Sequence, residues 1–160
     1  MTHKLDLDPD SRRRLRVAAL VHDTWKQAVD RSIDRVPPNE HGWLAARWLE
    51  RIVDDERLVS LVELHDEGYR AWRAHQAGRG DQATARISEV ARRLGADLTL
   101  FVAFYWADNR TGTKTPEQVS WFAQRLRDLG HSITGRDRFA GSLNDGAFAQ
   151  STIRRSPPGR

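Results

Sequence analysis

Three histidines of this sequence each stand next to an acidic residue, in segments with helical spacing. The pairs are His22-Asp23, Glu40-His41 and His65-Asp66. Imidazole nitrogens and carboxylate oxygens together bind divalent ions of the transition-metal and Mg types. A water bound to such an ion loses a proton near neutral pH and becomes a nucleophile. The pattern indicates a site for one or two divalent ions, although each histidine taken singly also fits a hydrogen-bonded core residue.

Asp108 is a further candidate ligand, because it ends the most apolar segment of the chain, Phe101–Ala107. A buried carboxylate is costly unless a cation or hydrogen-bond donors accompany it. The alternative interpretation is a residue of the last helical turn whose side chain bonds the backbone of the following loop.

The elements that must position these residues are helices. Apolar residues recur at helical spacing, and no strand pattern is present, so the sequence predicts an all-α, single-domain bundle of about six helices. Pro, Gly and capping residues mark the ends, with Asp10 or Ser11 capping the first helix and Asn39 the second. The predicted helices cover about residues 10–33, 40–53, 54–76, 81–94, 96–109 and 116–129.

Composition excludes several classes of protein. A chain of 160 residues fits one domain of ordinary size. It has no cysteine, which excludes disulfides, thiolate zinc sites and cysteine nucleophiles. No apolar stretch is long enough to span a membrane, and the polar, acidic first ten residues do not fit a secretory signal. We therefore expect a cytoplasmic protein with no membrane partner.

The charge distribution divides the chain at residue 130. Residues 1–130 hold 21 Lys and Arg against 20 Asp and Glu, whereas residues 131–160 hold five Arg against two Asp. The predicted domain 1–130 is nearly neutral, which argues against a nucleic-acid partner. Helical periodicity is lost after residue 130, so residues 131–160 are predicted to form a flexible basic tail, the one part suited to nucleic acid.

An ordered set of segments carries a family resemblance. The run Ala18-Ala-Leu-Val-His22-Asp23 has Lys26 three residues beyond the aspartate, and three further segments follow it. They are Glu40-His41-Gly42, Leu61-Val-Glu-Leu-His65 and Tyr105-Trp-Ala-Asp108. Over about residues 12–125 this set resembles the HD superfamily of metal-dependent phosphohydrolases. The resemblance implies a helical fold and hydrolysis of a nucleotide or another small phosphate ester by a metal-bound hydroxide.

The resemblance also implies roles for individual residues. His22, Asp23 and Asp108 would hold one metal ion, and His41 and His65 a second, with Asp23 bridging the two. Asp23 and Lys26 would be the catalytic residues. The metal is not specified, since Mn, Fe, Co, Ni, Zn and Mg all remain compatible.

Four cations are candidates to bind the substrate phosphate: Lys26, Arg73, Arg110 and Lys114. Arg110 and Lys114 stand in the polar loop directly after Asp108. Arg73 is eight residues past His65, which places it near the same face if one helix continues through both. Plain surface solvation is the alternative interpretation for Arg110 and Lys114.

One departure from the family leaves alternatives open. The family has a further histidine on an earlier helix, and His3 is the one histidine before His22. The chain is then a shortened member, a member with one ligand fewer, or a catalytically silent module that binds a ligand or partner. A further hypothesis is that the protein is a two-iron oxygenase of the same superfamily. In a second assignment, His41 is that first histidine, His65-Asp66 the His-Asp pair and Asp108 the last ligand of a single metal.

Overall fold

Seven α-helices build the part of the chain that the computed structural model describes, residues 7–110 and 115–133. They are α1 (Pro9–Val21), α2 (His41–Leu49), α3 (Glu56–Glu63), α4 (Glu67–Gln76), α5 (Gly80–Leu94), α6 (Leu98–Asp108) and α7 (Pro116–Asp128). Two short 3₁₀ helices, Lys26–Ala28 and Gly95–Asp97, complete the set, and these residues contain no strand. The predicted all-α bundle is confirmed.

Helix α6 is the central element of the bundle. Seven of its eleven residues are buried, and it packs against α1, α5 and α7. The rings of Phe101 and Tyr105 each lie 5.7 Å from the ring of Phe122 on α7, a distance typical of favourable aromatic pairs. A helix with most of its residues buried cannot shift without disturbing the core. Asp108, the last residue of α6, is therefore held at a fixed position at one end of the bundle.

Two aspartates cap helices through their side chains. The Asp8 carboxylate accepts a hydrogen bond from the Ser11 amide at 2.9 Å, and Asp55 accepts one from the Leu58 amide at 3.1 Å. The predicted cap of α1 at Asp10 or Ser11 is wrong by two or three residues, because Pro9 occupies the first helical turn. Asn39 does not cap α2; its side chain bonds the preceding loop instead.

Three predicted helices are shorter than expected, and the second of them ends at Leu49 rather than near Val53. The first ends at Val21 rather than near residue 33, and the predicted helix 54–76 is interrupted at residues 64–66. The Nδ1–H of His65 donates to the Val62 carbonyl at 2.7 Å, so the side chain takes an acceptor near the end of α3. Consecutive side chains of a continuous helix point about 100° apart. The interruption allows His65 and Asp66 to turn toward the same centre.

The ends of α5 and α7 follow the glycine signals in the sequence. Gly95 ends α5 with a φ of 51°, and Gly130 follows α7 with a φ of 84°. Lys114, His3 and residues 134–160 of the predicted tail lie outside the described residues. Within the described helices, none is both long and apolar enough to cross a bilayer.

Candidate metal centre

Six polar side chains from four separate parts of the chain meet at one end of α6. His22 and Asp23 lie in the turn after α1, His41 is the first residue of α2, and His65 and Asp66 lie between α3 and α4. Asp108 ends α6. Each of these residues therefore stands at a helix end or beside one. The helices fix the orientation of these side chains, and the turns between the helices allow the side chains to converge.

Asp23, His41 and His65 form the tightest group in the described part of the chain. Their potential ligand atoms all lie within 4.8 Å of one another, so the three residues could hold a metal ion. The Nε2 atoms of His41 and His65 are 3.0 Å apart, and Asp23 Oδ1 is 3.5 Å from His41 Nε2 and 3.9 Å from His65 Nε2. Ligands on adjacent corners of an octahedron with bonds of about 2.1 Å lie about 3.0 Å apart. The distance between the two Nε2 atoms equals that value, and the two distances to Asp23 Oδ1 are longer, at 3.5 and 3.9 Å.

Asp23 lies between two groups of donors and gives one oxygen to each. Its Oδ1 faces His41 and His65, while its Oδ2 is 3.4 Å from His22 Nε2 and accepts a hydrogen bond from Lys26 Nζ at 2.6 Å. Asp108 Oδ1 is 3.5 Å from the same His22 nitrogen. This is the arrangement expected of a carboxylate that bridges two sites.

Asp66 adds a second carboxylate to the His41–His65 pair. Its Oδ2 is 3.4 Å from His41 Nε2, and its Oδ1 is 3.6 Å from His65 Nε2. The assignment that starts at His22-Asp23 does not include Asp66, whereas the alternative assignment does. The ligands of both assignments therefore lie at the same centre, so one centre could include both Asp23 and Asp66.

The proton positions of two histidines are fixed by their backbone partners. His65 Nδ1 donates to the Val62 carbonyl, and His22 Nδ1 lies 3.1 Å from the Ala18 carbonyl, the acceptor that a protonated Nδ1 requires. In the neutral rings the Nε2 atoms then carry lone pairs that point into the centre. His22 Nε2 is buried and has no hydrogen-bond partner among the described residues. A buried Nε2 that faces two carboxylates would be satisfied by a proton in the charged ring or by a divalent cation in the neutral ring.

Electrostatics keep the His41–His65 pair uncharged. Burial and the neighbouring His65 ring lower the pKa of His41 to about 4, and burial lowers the pKa of His65 as well. Both imidazoles are therefore neutral at pH 7, the form that binds metals. At His22, burial opposes the charged form, but the Asp108 and Asp23 carboxylates outweigh it and raise the pKa.

The Asp23 carboxylate stays ionised at this centre. Burial alone raises its pKa, but the hydrogen bond from Lys26 and the charge of His22 outweigh that effect and lower the pKa. An ionised carboxylate between neutral imidazoles supplies the negative charge that a divalent cation needs. Lys26 is half-exposed, so it reaches Asp23 from the solvent side of the centre.

A glycine and an ion-pair network hold α2 against the centre. A Cβ on Gly42 would lie 2.9 Å from the Glu63 carbonyl oxygen and 3.1 Å from His65 Nδ1, so this approach requires glycine. Arg70 bonds both Glu40 at 2.7 Å and Glu67 at 3.4 Å. Burial raises the pKa of Glu40 to about 7, although Arg70 opposes the rise. The network ties the start of α2 to α4.

A cavity of about 410 Å³ opens beside the metal-binding group. Its walls include His41 and Asp66 of the centre, Lys26 and Tyr69, and two arginines of the loop before α2. The lining residues are Lys26, Val29, Arg31, Arg35, His41, Asp66, Tyr69 and Gln118. A ligand in this cavity would contact the candidate centre directly.

Of the predicted phosphate-binding cations that the structure describes, one lines the cavity and two do not. Lys26 lines the cavity, while the Arg110 guanidinium lies 4.7 Å from the centre of the Trp106 ring. Arg73 is exposed, donates to the Tyr69 hydroxyl at 3.2 Å and lines a neighbouring shallow pocket instead. The expectation that Arg73 shares a face with His65 fails, because the helix is interrupted between them. Lys114 lies outside the described residues.

Sequence reasoning missed three contributors to this region. Gly42 was quoted only as part of a motif, and its close approach to His65 depends on helix packing that spacing does not reveal. Arg31 and Arg35 were not singled out, because Arg31 fell within the predicted first helix and Arg35 in the turn after it. The available signal was two arginines four positions apart, one on each side of Ile33 and both before the Pro37-Pro38 pair.

Comparison of the chain with models of protein families, with curated proteins and with solved structures finds no match in any of the three.

Proposed function

We propose that this protein is a metal-dependent phosphohydrolase that acts on a nucleotide or another small phosphate ester. The observation that carries the proposal is the position of Asp23. One oxygen faces the His41–His65 pair, the other faces His22 and Lys26, and a cavity opens beside them. The HD resemblance of the ordered motif set supports the same reaction class.

The proposed ligands divide into two sets that share Asp23. His41, His65 and Asp23 hold one divalent ion, with Asp66 as an additional carboxylate, and His22 and Asp108 complete a second position. Imidazole and carboxylate ligands suit Mn, Fe, Co, Ni and Zn, and the carboxylates also suit Mg. When bound, such an ion lowers the pKa of a coordinated water and neutralises charge on phosphoryl oxygens.

Lys26 has two roles in the proposed reaction. Its hydrogen bond to Asp23 Oδ2 at 2.6 Å orients the carboxylate. An ammonium has three N–H donors, so donors remain for a phosphate oxygen at the mouth of the cavity. A charge-assisted bond from Lys26 to a phosphate oxygen would offset part of the negative charge of the phosphate.

The apolar side of the centre excludes water. The Phe104 ring lies 5.3 Å from the His22 ring and 6.5 Å from the His65 ring, at steep angles to both. Phe104 is buried in the core. Because the surroundings behind the imidazoles are apolar, charge–charge attraction at the centre is stronger than it would be in water.

Turnover of a chromogenic phosphate monoester, p-nitrophenyl phosphate, tests the proposal. We expect hydrolysis that depends on added Mn, Fe, Co, Ni, Zn or Mg and disappears with chelator. His22→Ala and Asp23→Ala should abolish turnover while the helical circular-dichroism signal is kept. His75→Ala is the matched control, because His75 stacks on Trp121 away from the centre. Turnover that survives in both site variants would overturn the proposal.

A further inference from the structure

Two arginines face the cavity from the segment that connects the 3₁₀ helix Lys26–Ala28 to α2. Arg31 and Arg35 line the cavity together with Lys26 and with His41 and Asp66 of the candidate centre. The cavity wall therefore carries three cations in addition to two residues of the candidate centre. A substrate whose single phosphate is bound at the centre would leave the two guanidinium groups without an anionic partner.

Neither arginine is used to stabilise the fold. Within residues 7–110 and 115–133, no ion pair or side-chain hydrogen bond involves Arg31 or Arg35. By contrast, Arg70 and Arg86 in the neighbouring shallow pocket are both held by Glu67. A guanidinium presents five N–H donors in a planar fork that matches phosphate oxygens. The two cavity arginines keep that capacity for a ligand.

The loop that carries these arginines has a defined path. Asn39 receives a hydrogen bond from the Asp30 amide at 2.8 Å and donates to the carbonyls of Asp30 at 2.8 Å and Asp34 at 3.1 Å. The Asp30 carboxylate accepts bonds from the Ser32 amide and hydroxyl at 2.8 and 2.7 Å. These bonds bracket both arginines. Less ordering entropy is therefore lost when they engage a ligand.

We propose that Arg31 and Arg35 form a second anion subsite, specific for a second phosphate of the substrate. The subsite rests on the proposed function, because it assumes that the phosphate to be cleaved lies at the metal centre. The substrate class is then a diphosphate or bisphosphate rather than a simple monophosphate. Its organic part has the Tyr69 ring and Val29 as apolar contacts in the same cavity.

Calorimetric titration of the metal-loaded protein with AMP, ADP and adenosine 3′,5′-bisphosphate tests the subsite, with metal in excess over ligand. We expect the better of the two doubly phosphorylated ligands to bind at least tenfold more tightly than AMP. In Arg31→Ala/Arg35→Ala this preference should fall to less than about twofold, and the lysine double variant should recover part of it. Arg51→Ala is the control, since Arg51 is exposed and does not line the cavity.

Two results separate the subsite from the proposed function, with hydrolysis of p-nitrophenyl phosphate measured on the same samples. An arginine-dependent preference without any turnover would keep the subsite and remove the phosphohydrolase proposal. Turnover without a preference for the second phosphate, or with a preference that persists in both double variants, would overturn the subsite. Circular dichroism on every variant confirms that the fold is kept.

Discussion

The Nε2 atoms of His41 and His65 face each other at 3.0 Å, although the residues are 24 positions apart. His65 has its proton on Nδ1, bonded to the Val62 carbonyl, so its Nε2 offers only a lone pair. The pKa of both rings is lowered, by burial first, and both are neutral at pH 7. Two buried imidazoles with an ionised carboxylate beside them could hold a metal ion.

The close approach of α2 to His65 gives the first prediction. Gly42→Ala places a Cβ 2.9 Å from the Glu63 carbonyl and 3.1 Å from His65 Nδ1, so the helix or the ring must move. A shift of a few tenths of an ångström separates His41 from His65. We expect metal affinity to fall at least tenfold, measured by titration with a chromogenic competing chelator.

The matched control for that substitution is Gly80→Ala. Gly80 begins α5, and nothing lies within 4 Å of a Cβ at that position. Alanine is the better helix former, so stability should stay the same or rise by a few tenths of a kcal/mol to about 1 kcal/mol. Equal metal affinity in the two glycine variants would contradict the positioning role of Gly42.

Asp66 gives the second prediction, which concerns its carboxylate. Asp66→Asn keeps the shape of the side chain but removes a negative charge 3.4 Å from His41 Nε2. We expect metal affinity to fall about tenfold, which corresponds to about 1.4 kcal/mol. Asp81→Asn removes the same charge from the exposed first turn of α5 and should leave affinity unchanged. If both variants bind metal like the wild type, Asp66 is not part of the centre.

Lys26 gives the third prediction. Lys26→Met keeps the length of the side chain and removes the ammonium that bonds Asp23 at 2.6 Å. We expect kcat for p-nitrophenyl phosphate to fall at least tenfold, because a charge-assisted bond to the phosphate is lost. Metal content should stay at the wild-type level, since Lys26 is not a ligand. A variant with full kcat would exclude Lys26 from the catalytic residues.

The fourth prediction concerns stability against pH. Arg14 Nε lies 2.9 and 3.1 Å from the two Asp55 oxygens. Burial raises the pKa of Asp55, but the Arg14 bond and the Leu58 amide outweigh it and lower the pKa below its usual value. Because the folded state favours the ionised form, this stabilisation is present above about pH 4 and is lost as the pH falls through the lowered pKa.

Asp55→Asn isolates that charge, because asparagine keeps the oxygen that caps α3. We expect the free energy of unfolding to drop by about 1–2 kcal/mol at pH 7. The difference from wild type should shrink steadily below pH 4 in urea titrations followed by circular dichroism. A difference that is constant from pH 7 to pH 2.5 would show that the loss has another cause.

Sequence patterns predicted the fold class because it depends on local signals, and they also identified Asp23, His41 and His65, which lie together in the structure. Apolar spacing defined α5, α6 and α7 within two residues at each end. The break between α3 and α4 was missed, because it depends on a bond between the His65 ring and the Val62 carbonyl. The cavity arginines were missed for a similar reason. Their position depends on how Asn39 folds the loop back, which no periodicity records.

The choice between two ligand assignments was also beyond the sequence. In one assignment the His-Asp pair is His22-Asp23, and in the other it is His65-Asp66. Linear spacing treats these as alternatives. In space, Asp23 and Asp66 both lie within 3.5 Å of His41 Nε2, because α2 packs between the turn after α1 and the turn before α4. Tertiary packing therefore brings Asp23 and Asp66, which are distant in sequence, to the same histidine.

Metal content measured by mass spectrometry tests the central claim most directly. The protein is purified without chelator as wild type, His22→Ala, His41→Ala, His65→Ala and His75→Ala. We expect one or two equivalents of a divalent metal in wild type and in His75→Ala. The three site variants should lose metal while their helical content is unchanged. Wild-type protein that binds no metal even after loading with Mn or Fe, or site variants that keep full metal content, would contradict the account.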